Sequence, residues 1–191
     1  LEELVIDAGA PEGLYLNLAI RRGAVAAIVA DSRVRAVTVT GSTQAGRAVA
    51  EVAGAHGKKA VLELGGSDPF IVLEDANLDR AVALAVTSRF SNNAQSCIAA
   101  NRILLAEPIA KQFQAAFVER AAGLRMGNPL DTETQLGPLA RADLRESVHA
   151  QVRAALSQGG KLLTGGVLPT GPGNFYPPTV IAGLPPDAPI A

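Results

Sequence analysis

The hydrophobic pattern is clearest between residues 36 and 64, where two short apolar runs flank an amphipathic stretch. Residues 36–40 are short and β-branched, which predicts a buried strand, and residues 59–64 predict a second strand. Between them, one helical face carries the apolar residues Ala45, Ala48, Val49, Val52 and Ala53. A strand, a helix and a strand within about thirty residues form a βαβ unit, so the pattern predicts a parallel sheet and an α/β fold.

The same criteria predict further elements on both sides of this unit. Helices are expected at residues 1–8, 25–30, 78–86, 109–124 and 144–156. Strands are expected at residues 14–18, 70–73 and 102–106. Asp75 or Asn77 is suited to cap the helix that follows. The segment 165–178 is rich in glycine and proline and is expected to be irregular.

Composition indicates a globular protein and argues against two classes of partner. Hydrophobic residues make up 48% of the 191 positions and charged residues 18%, which favours a sizeable core. The net charge is −1, and no basic or acidic run is present, so neither nucleic acid nor an anionic membrane is expected as a partner. No apolar run reaches membrane-spanning length. A single cysteine cannot form an internal disulfide, and a cytoplasmic location is therefore expected.

That cysteine, Cys97, is the first candidate for chemistry. Polar and small residues surround it in the stretch 91–102, rather than a long aliphatic run. The alternative is a buried structural cysteine, which residue type alone favours. The two histidines, His56 and His149, show no metal-ligand spacing and no evident pairing with the thiol, and both are predicted at the surface. A reactive thiolate would then need another source of stabilisation, and a helix beginning after residues 95–96 would supply it.

A second candidate is the turn from residue 41 to residue 46, where a predicted strand runs into a predicted helix. A glycine turn at a helix start can present N–H groups to a phosphate, and the hydroxyl of Ser42 can add to them. The alternative is a helix N-cap without a ligand. Arg47 and Ala48 stand where a P-loop requires Lys and then Ser or Thr, so the turn is not a P-loop.

Glu63 is the third candidate because it is a carboxylate at the end of an apolar strand, directly before Leu64 and two glycines. Strand ends of this kind hold ligand groups in α/β proteins. Apolar surroundings make a carboxylate bind a proton more readily, as a general base requires. The alternative is an edge residue that points to solvent.

These three stretches together resemble the aldehyde dehydrogenase superfamily. That family carries, in this order, the motifs T-G-S-T-x-x-G, L-E-L-G-G and F-x-N-x-G-Q-x-C. Here they stand at residues 40–46, 62–66 and 90–97. One position departs from the pattern, because Ala94 stands where the family usually has glycine. The resemblance covers essentially the whole chain.

The resemblance implies an aldehyde dehydrogenase-like α/β fold in two domains. Residues 1–64 would be the C-terminal part of a Rossmann-type dinucleotide-binding domain, and residues 65–191 most of the catalytic domain. Cys97 would be the nucleophile and Glu63 the general base. The residues implied to contact NAD or NADP are Gly41, Ser42, Gly46, Glu63, Leu64 and Gly65.

The implied reaction is oxidation of an aldehyde to a carboxylic acid through a thioacyl intermediate on Cys97. Residues 136–141 and 173–178 look most like bacterial succinate-semialdehyde dehydrogenases. The expected partners are a small aldehyde and further copies of the protein, as a dimer or tetramer. Because family members are much longer, both ends of the chain are expected to be cut, and the chain alone to be inactive. A relative that keeps the fold and binds nucleotide, or acts structurally without turnover, is the alternative.

Overall fold

A computed structural model describes residues 1–188, and the chain divides into two compact units, one of residues 1–65 and one that begins at Gly66. The first unit contains, in order, α1 (Glu2–Asp7), α2 (Val25–Ala30), β1 (Ala36–Gly41), α3 (Thr43–Ala55) and β2 (Lys59–Leu64). The second contains β3 (Asp68–Val72), α4 (Leu78–Phe90), β4 (Ala100–Leu105), α5 (Glu107–Ala122), α6 (Ala142–Ser157), β5 (Lys161–Thr164) and β6 (Val180–Ala182).

The first unit is built on the βαβ motif that the sequence predicts. β1 and β2 pair in parallel, with Val39 opposite Leu62, and α3 packs against both strands. The expectation that β1 is buried is wrong for the described residues, because none of its side chains is buried. The described part of this sheet has two strands, so β1 has a neighbour on one side within it. The ammonium group of Lys58 donates to the carbonyls of Val29 and Asp31 and thereby satisfies the end of α2.

The strand predicted at residues 14–18 is wrong. The segment is irregular, and Leu14 is 70% and Leu16 59% exposed. Alternating apolar residues form a strand only when a neighbouring strand accepts their backbone hydrogen bonds, and no described strand pairs with this segment. The helices predicted at residues 1–8 and 25–30 are confirmed as α1 and α2.

An aromatic core organises the second unit. Phe113, on α5, is 1% exposed and stacks on Phe117 with ring centroids 5.9 Å apart. Phe117 in turn stacks on Phe90, the last residue of α4, at 6.2 Å. The parallel strands β3 and β4 pack on the same core, β3 through Val72 and β4 through Ile103 and Leu105. The core therefore holds the end of α4 and the strand β4 in place.

Local signals mark the starts of two helices of this unit, α4 and α5. Asn77, one of the two predicted caps, accepts a hydrogen bond from the N–H of Arg80 at 3.0 Å. Pro108 lies in the first turn of α5, where its missing N–H costs nothing. The antiparallel strands β5 and β6 escape the sequence analysis because each is no more than four residues long. They flank the segment 165–178, which is irregular as predicted.

Among residues 1–188, no helix is both long enough and apolar enough to span a membrane.

Candidate active site

The loop that carries Cys97 connects α4 to β4 and has an unusual backbone. Three consecutive residues are left-handed, with φ of 51° at Asn92, 54° at Asn93 and 61° at Ala94. Asparagine tolerates this conformation because its short amide can bond locally, whereas alanine pays a steric cost of about 1–2 kcal/mol. The cost therefore falls on Ala94, the position where the resemblance leads one to expect glycine.

Cys97 itself is exposed and lies in a turn between this left-handed segment and β4. The expectation that a helix begins after residues 95–96 is wrong, because α4 ends before the loop and β4 begins at Ala100. The N–H of Ala99 closes the turn by donating to the carbonyl of Ser96 at 3.1 Å. Within the described residues, the backbone N–H of Cys97 has no hydrogen-bond acceptor. It is therefore free to donate to a ligand.

Gly66 packs directly against the backbone of Cys97. A Cβ atom at this position would lie 3.0 Å from the carbonyl oxygen of Cys97, closer than side chains normally come. The carbonyl of Gly66 accepts a hydrogen bond from the amide of Asn101 at 2.9 Å. Asn101 in turn accepts from the guanidinium of Arg89. Glycine at residue 66 thus allows the close approach, and the two polar side chains hold it there.

Arg89 is the half-buried end of this chain of hydrogen bonds. Burial lowers the pKa of its guanidinium below the ordinary value. An arginine keeps its proton throughout the physiological range, so the group remains a cation at neutral pH. Its hydrogen bond to Asn101 partly compensates the loss of solvation. Sequence reasoning missed both residues, since nothing in the pattern links positions 89 and 101.

Two more side chains, which sequence reasoning also missed in these roles, tie the loop to a distant segment. The amide of Asn93 donates to the carbonyls of Gly137 at 2.7 Å and Pro138 at 3.0 Å. The side-chain oxygen of Gln95 accepts from the N–H of Ala140 at 3.0 Å. The sequence signal that could have found this pairing is weak, because the partners are more than forty residues apart.

The histidines form no hydrogen bond with the cysteine side chain among the described residues. His56 is exposed, as predicted. His149 is half-buried rather than on the surface, and its Nδ1 lies 3.1 Å from the hydroxyl of Tyr176. Burial raises the pKa of Tyr176 above its ordinary value, so the phenol is protonated at neutral pH. Among residues 1–188, no group of three His, Cys, Asp or Glu side chains is placed to hold a metal ion.

The turn at residues 41–46 has the geometry of a capped helix start. The hydroxyl oxygen of Ser42 accepts from the N–H of Ala45 at 3.2 Å, and its carbonyl accepts from the N–H of Gly46 at 2.9 Å. The N–H groups of Thr43 and Gln44 therefore lie ahead of the first helical hydrogen bond. Gly41 and Ser42 are exposed. Ser42 is therefore the N-cap of α3, and the same turn leaves donors that fit an anionic phosphate.

The other predicted cofactor residues differ in their surroundings. Gly46 is buried, and a Cβ atom there would come within 2.5 Å of the side chain of Leu64. Gly46 therefore lets α3 approach β2 closely, and Leu64 is half-buried in that contact. Gly65 is exposed.

Glu63 is also exposed, which agrees with the solvent-facing alternative. The apolar surroundings expected for this carboxylate are not seen among the described residues. Side chains alternate along β2, and Lys59 and Val61, on the same face as Glu63, are exposed as well.

Comparison with known proteins decides the family. The model of the aldehyde dehydrogenase family matches residues 1–191. The chain belongs to the aldehyde dehydrogenase family. The resemblance carried by the three motifs is thereby confirmed.

Two bacterial relatives are similar over nearly the whole chain. The succinate semialdehyde dehydrogenase [NAD(P)+] Sad of Escherichia coli K12 is 52% identical over 181 residues, which cover 95% of this chain and 39% of that protein. The succinate-semialdehyde dehydrogenase [NADP(+)] of Mycobacterium leprae is 48% identical over 187 residues, which cover 98% of this chain and 41% of that protein. The chain thus spans about two fifths of the length of these aldehyde dehydrogenases.

Solved structures confirm the predicted aldehyde dehydrogenase-like α/β fold. The succinic semialdehyde dehydrogenase of Streptococcus pyogenes, solved with NADP+, matches with a TM-score of 0.95 at 40% identity, over 99% of this chain and 42% of that one. A structure of Gox0499, described for its cofactor and substrate selection, matches with a TM-score of 0.96 at 42% identity, over 99% of this chain and 41% of that one. A lactaldehyde dehydrogenase matches with a TM-score of 0.93 at 33% identity, over 98% of this chain and 40% of that one.

Proposed function

We propose that this aldehyde dehydrogenase chain supplies the nucleophile, the general base and part of the cofactor site for NAD(P)-dependent oxidation of succinate semialdehyde to succinate. The observation that carries the proposal is the accessibility of Cys97, both of its thiol and of its backbone N–H. The thiol is exposed, its backbone N–H is free among the described residues, and Gly66 lies close against its carbonyl oxygen. A structural cysteine would be buried instead.

The proposed assignment of the two units follows the resemblance: residues 1–64 belong to the dinucleotide-binding domain and residues 65–191 to the catalytic domain. Gly41 and Ser42 would hold the pyrophosphate at the start of α3, where unpaired N–H groups and the positive end of the helix favour an anion. Gly46 would contribute by close packing, and residues 63–65 by lining the site. When bound, NAD or NADP supplies the acceptor for a hydride.

In the first step, the thiolate of Cys97 attacks the aldehyde carbon, so an S–C bond forms and the carbonyl electrons move to oxygen. The backbone N–H of Cys97 donates to this oxyanion and stabilises it. The tetrahedral carbon then loses its hydrogen as a hydride with the electron pair. A thioester on Cys97 remains, and the substrate carbon has been oxidised by two electrons.

In the second step, the carboxylate of Glu63 takes a proton from a water molecule, and the water oxygen attacks the thioester carbon. The S–C bond breaks, Cys97 leaves as a thiolate and the product leaves as a carboxylic acid. Glu63 is exposed, so its carboxylate is accessible to water, and this accessibility supports the role.

Succinate semialdehyde is the proposed substrate because the names of the E. coli, M. leprae and S. pyogenes proteins specify it. The lactaldehyde dehydrogenase match makes lactaldehyde the natural comparison substrate. A cytoplasmic location and assembly into a dimer or tetramer are further parts of the proposal. They rest on the single cysteine and on the family resemblance, and sedimentation velocity tests the assembly.

The proposal is tested in a chimera in which this chain replaces the aligned segment of the E. coli relative. Reduction of NAD and of NADP is followed at the absorbance of the reduced nicotinamide, with succinate semialdehyde and with lactaldehyde. We expect turnover with succinate semialdehyde and loss of turnover in Cys97→Ala. Turnover at a comparable rate in the Cys97→Ala chimera would overturn the mechanism. The unmodified E. coli protein is the control, and the 191-residue chain alone is expected to be inactive.

Glu63→Gln separates the two steps in the same chimera. A burst of reduced nicotinamide is expected, followed by slow turnover as the thioester accumulates, because the amide cannot accept a proton from water. Loss of the burst would instead assign Glu63 to activation of Cys97. Unchanged steady-state turnover would make Glu63 a structural residue.

A further inference from the structure

We propose that Asn93 is a positioning residue, whose side chain holds the Cys97 loop in its reactive geometry by clamping it to residues 137–138. The inference rests on the proposed role of Cys97. In the family motif F-x-N-x-G-Q-x-C, which stands at residues 90–97, Asn93 falls on the second x, where the motif specifies no residue. Its side-chain nitrogen donates to the carbonyl oxygens of Gly137 at 2.7 Å and Pro138 at 3.0 Å.

The orientation of this amide follows from its partners. Carbonyl oxygens only accept hydrogen bonds, so the NH₂ group of Asn93 must face them. Both carbonyl oxygens then lie within hydrogen-bond distance of this one nitrogen. Asn93 is half-buried, so replacement of these bonds by water is restricted.

The partner segment is a firm anchor for the loop. Leu136, directly before it, is 4% exposed and belongs to the aromatic core. The N–H of Leu136 donates to the carbonyl of Arg125 at 3.0 Å, and its carbonyl accepts from the N–H of Gly127 at 2.9 Å. The ring of Pro129 lies close by, since a Cβ atom at Gly137 would be 3.5 Å from it. The clamp therefore ties the loop to fixed backbone.

A second hydrogen bond, made by Gln95 on the other side of Ala94, also holds the loop to the partner segment. Gln95 accepts from the N–H of Ala140 at 3.0 Å. Ala94 lies between Asn93 and Gln95 with φ of 61°, a conformation that alanine alone disfavours. Such a residue persists only where its surroundings over-determine it. Without the Asn93 bonds, Ala94 is free to relax to negative φ, which would move the N–H and the thiol of Cys97.

Two substitutions separate the amide from the backbone preference of asparagine. Asn93→Asp keeps the shape and the tolerance of left-handed φ, but a carboxylate cannot donate to the two carbonyls. Asn93→Gly adopts left-handed φ freely and has no side chain. If only the backbone preference mattered, Asn93→Gly would behave like the original chain. If the amide matters, both variants lose the clamp.

Asn128→Asp is the matched control. Asn128 is exposed, and its side-chain oxygen accepts from the N–H of Leu130 at 3.1 Å. A carboxylate oxygen accepts in the same way, so this substitution removes an amide of the same unit without removing its bond. It should leave both measurements below unchanged.

The first measurement is amide hydrogen exchange in the 191-residue chain, and it does not depend on turnover. We expect the N–H groups of Gln95, Ala99 and Ala140 to exchange about tenfold faster or more in both Asn93 variants, since local opening controls their exchange. The amides of α5 serve as an internal reference and should be unchanged. Unchanged exchange of all three amides in Asn93→Gly, or equal acceleration in Asn128→Asp, would overturn the proposal.

The second measurement is pre-steady-state kinetics in the chimera. Both Asn93 variants should lower the burst rate and kcat by about tenfold to a hundredfold, because attack by Cys97 precedes hydride transfer and depends on position. KM for succinate semialdehyde should change less than about threefold, and the burst amplitude should stay near that of the unsubstituted chimera. A general loss of stability would instead lower the burst amplitude and leave the burst rate constant unchanged. A normal burst in either variant would overturn the positioning role. Absence of turnover in the unsubstituted chimera would refute the proposed function, and the exchange measurement would still decide the clamp.

Discussion

The glycine turn at residues 41–46 and the cysteine loop at residues 91–97 reach their geometries by different routes. In the turn, Ser42 follows its local preference as an N-cap, and Gly46 admits Leu64 of the same βαβ unit. In the loop, Ala94 is left-handed against its preference, and its neighbours Asn93 and Gln95 form hydrogen bonds with distant residues. The turn is thus specified by its own sequence, whereas the loop depends on the unit that folds around it.

The largest effect is expected from a substitution in the aromatic core, which tests whether the cysteine loop depends on the fold of the second unit. Phe113→Ala should destabilise the second unit by about 3–5 kcal/mol, because it empties a fully buried ring position. Phe113 connects to the loop through Phe117 and Phe90, so the amides of the loop should exchange faster as well. Hydrogen exchange followed by mass spectrometry measures both effects.

Leu130→Ala is the control for this prediction, since Leu130 is 88% exposed and its truncation should cost little. Loop exchange that stays unchanged while the core of the second unit is destabilised would show that the loop keeps its geometry independently of the core. That outcome would remove the contrast with the glycine turn.

A smaller change in stability is expected from substitution of Gly46, at the end of the turn. Gly54, on the same helix α3, is the matched control. Gly46→Ala places a methyl group within 2.5 Å of Leu64 and should destabilise the first unit by about 1–3 kcal/mol. Gly54→Ala meets no atom within 4 Å and should stabilise the helix by up to about 1 kcal/mol. Urea denaturation of the two variants measures the difference. Stabilisation by both substitutions would show that Leu64 moves aside and that Gly46 is not required for packing.

The smallest expected effect is at Ala94, and its sign is the informative part. Ala94→Gly removes a steric cost of about 1–2 kcal/mol but adds about 0.4–1 kcal/mol of unfolded-state entropy. The net result should be a stabilisation of between about 0 and 1.6 kcal/mol in urea denaturation. Ala150→Gly, in the exposed interior of α6, should destabilise by about 1 kcal/mol. Destabilisation by both substitutions would mean that Ala94 carries no strain.

The same contrast explains what the sequence could and could not predict. The βαβ unit, the cap at Asn77 and the proline in the first turn of α5 follow from preferences that act within a few residues. The strand expected at residues 14–18 failed because a strand requires a partner that local alternation does not reveal.

The candidate site divides along the same line. Cys97, Glu63 and the glycine turn were found from residue type and motif order, and their roles stay predictions. The contacts that hold the cysteine, through Asn93, Gln95, Asn101 and Arg89, were missed because they join positions whose spacing carries no periodic signal. The expected helix N-terminus beside the thiol was wrong for a related reason. A short polar stretch predicts a turn equally well, and the pairing of β4 with β3 sets where the chain resumes regular structure.

The exposure of Cys97 has a consequence for oxidation. Peroxide converts an accessible thiolate to a sulfenic acid, which a second cysteine can rescue by forming a disulfide before further oxidation. This chain has no second cysteine, so a sulfenic acid at Cys97 has no internal partner. Its reduction back to the thiol therefore depends on a thiol from outside the chain, such as glutathione. Without one, further oxidation gives a sulfinic acid, and that step is irreversible.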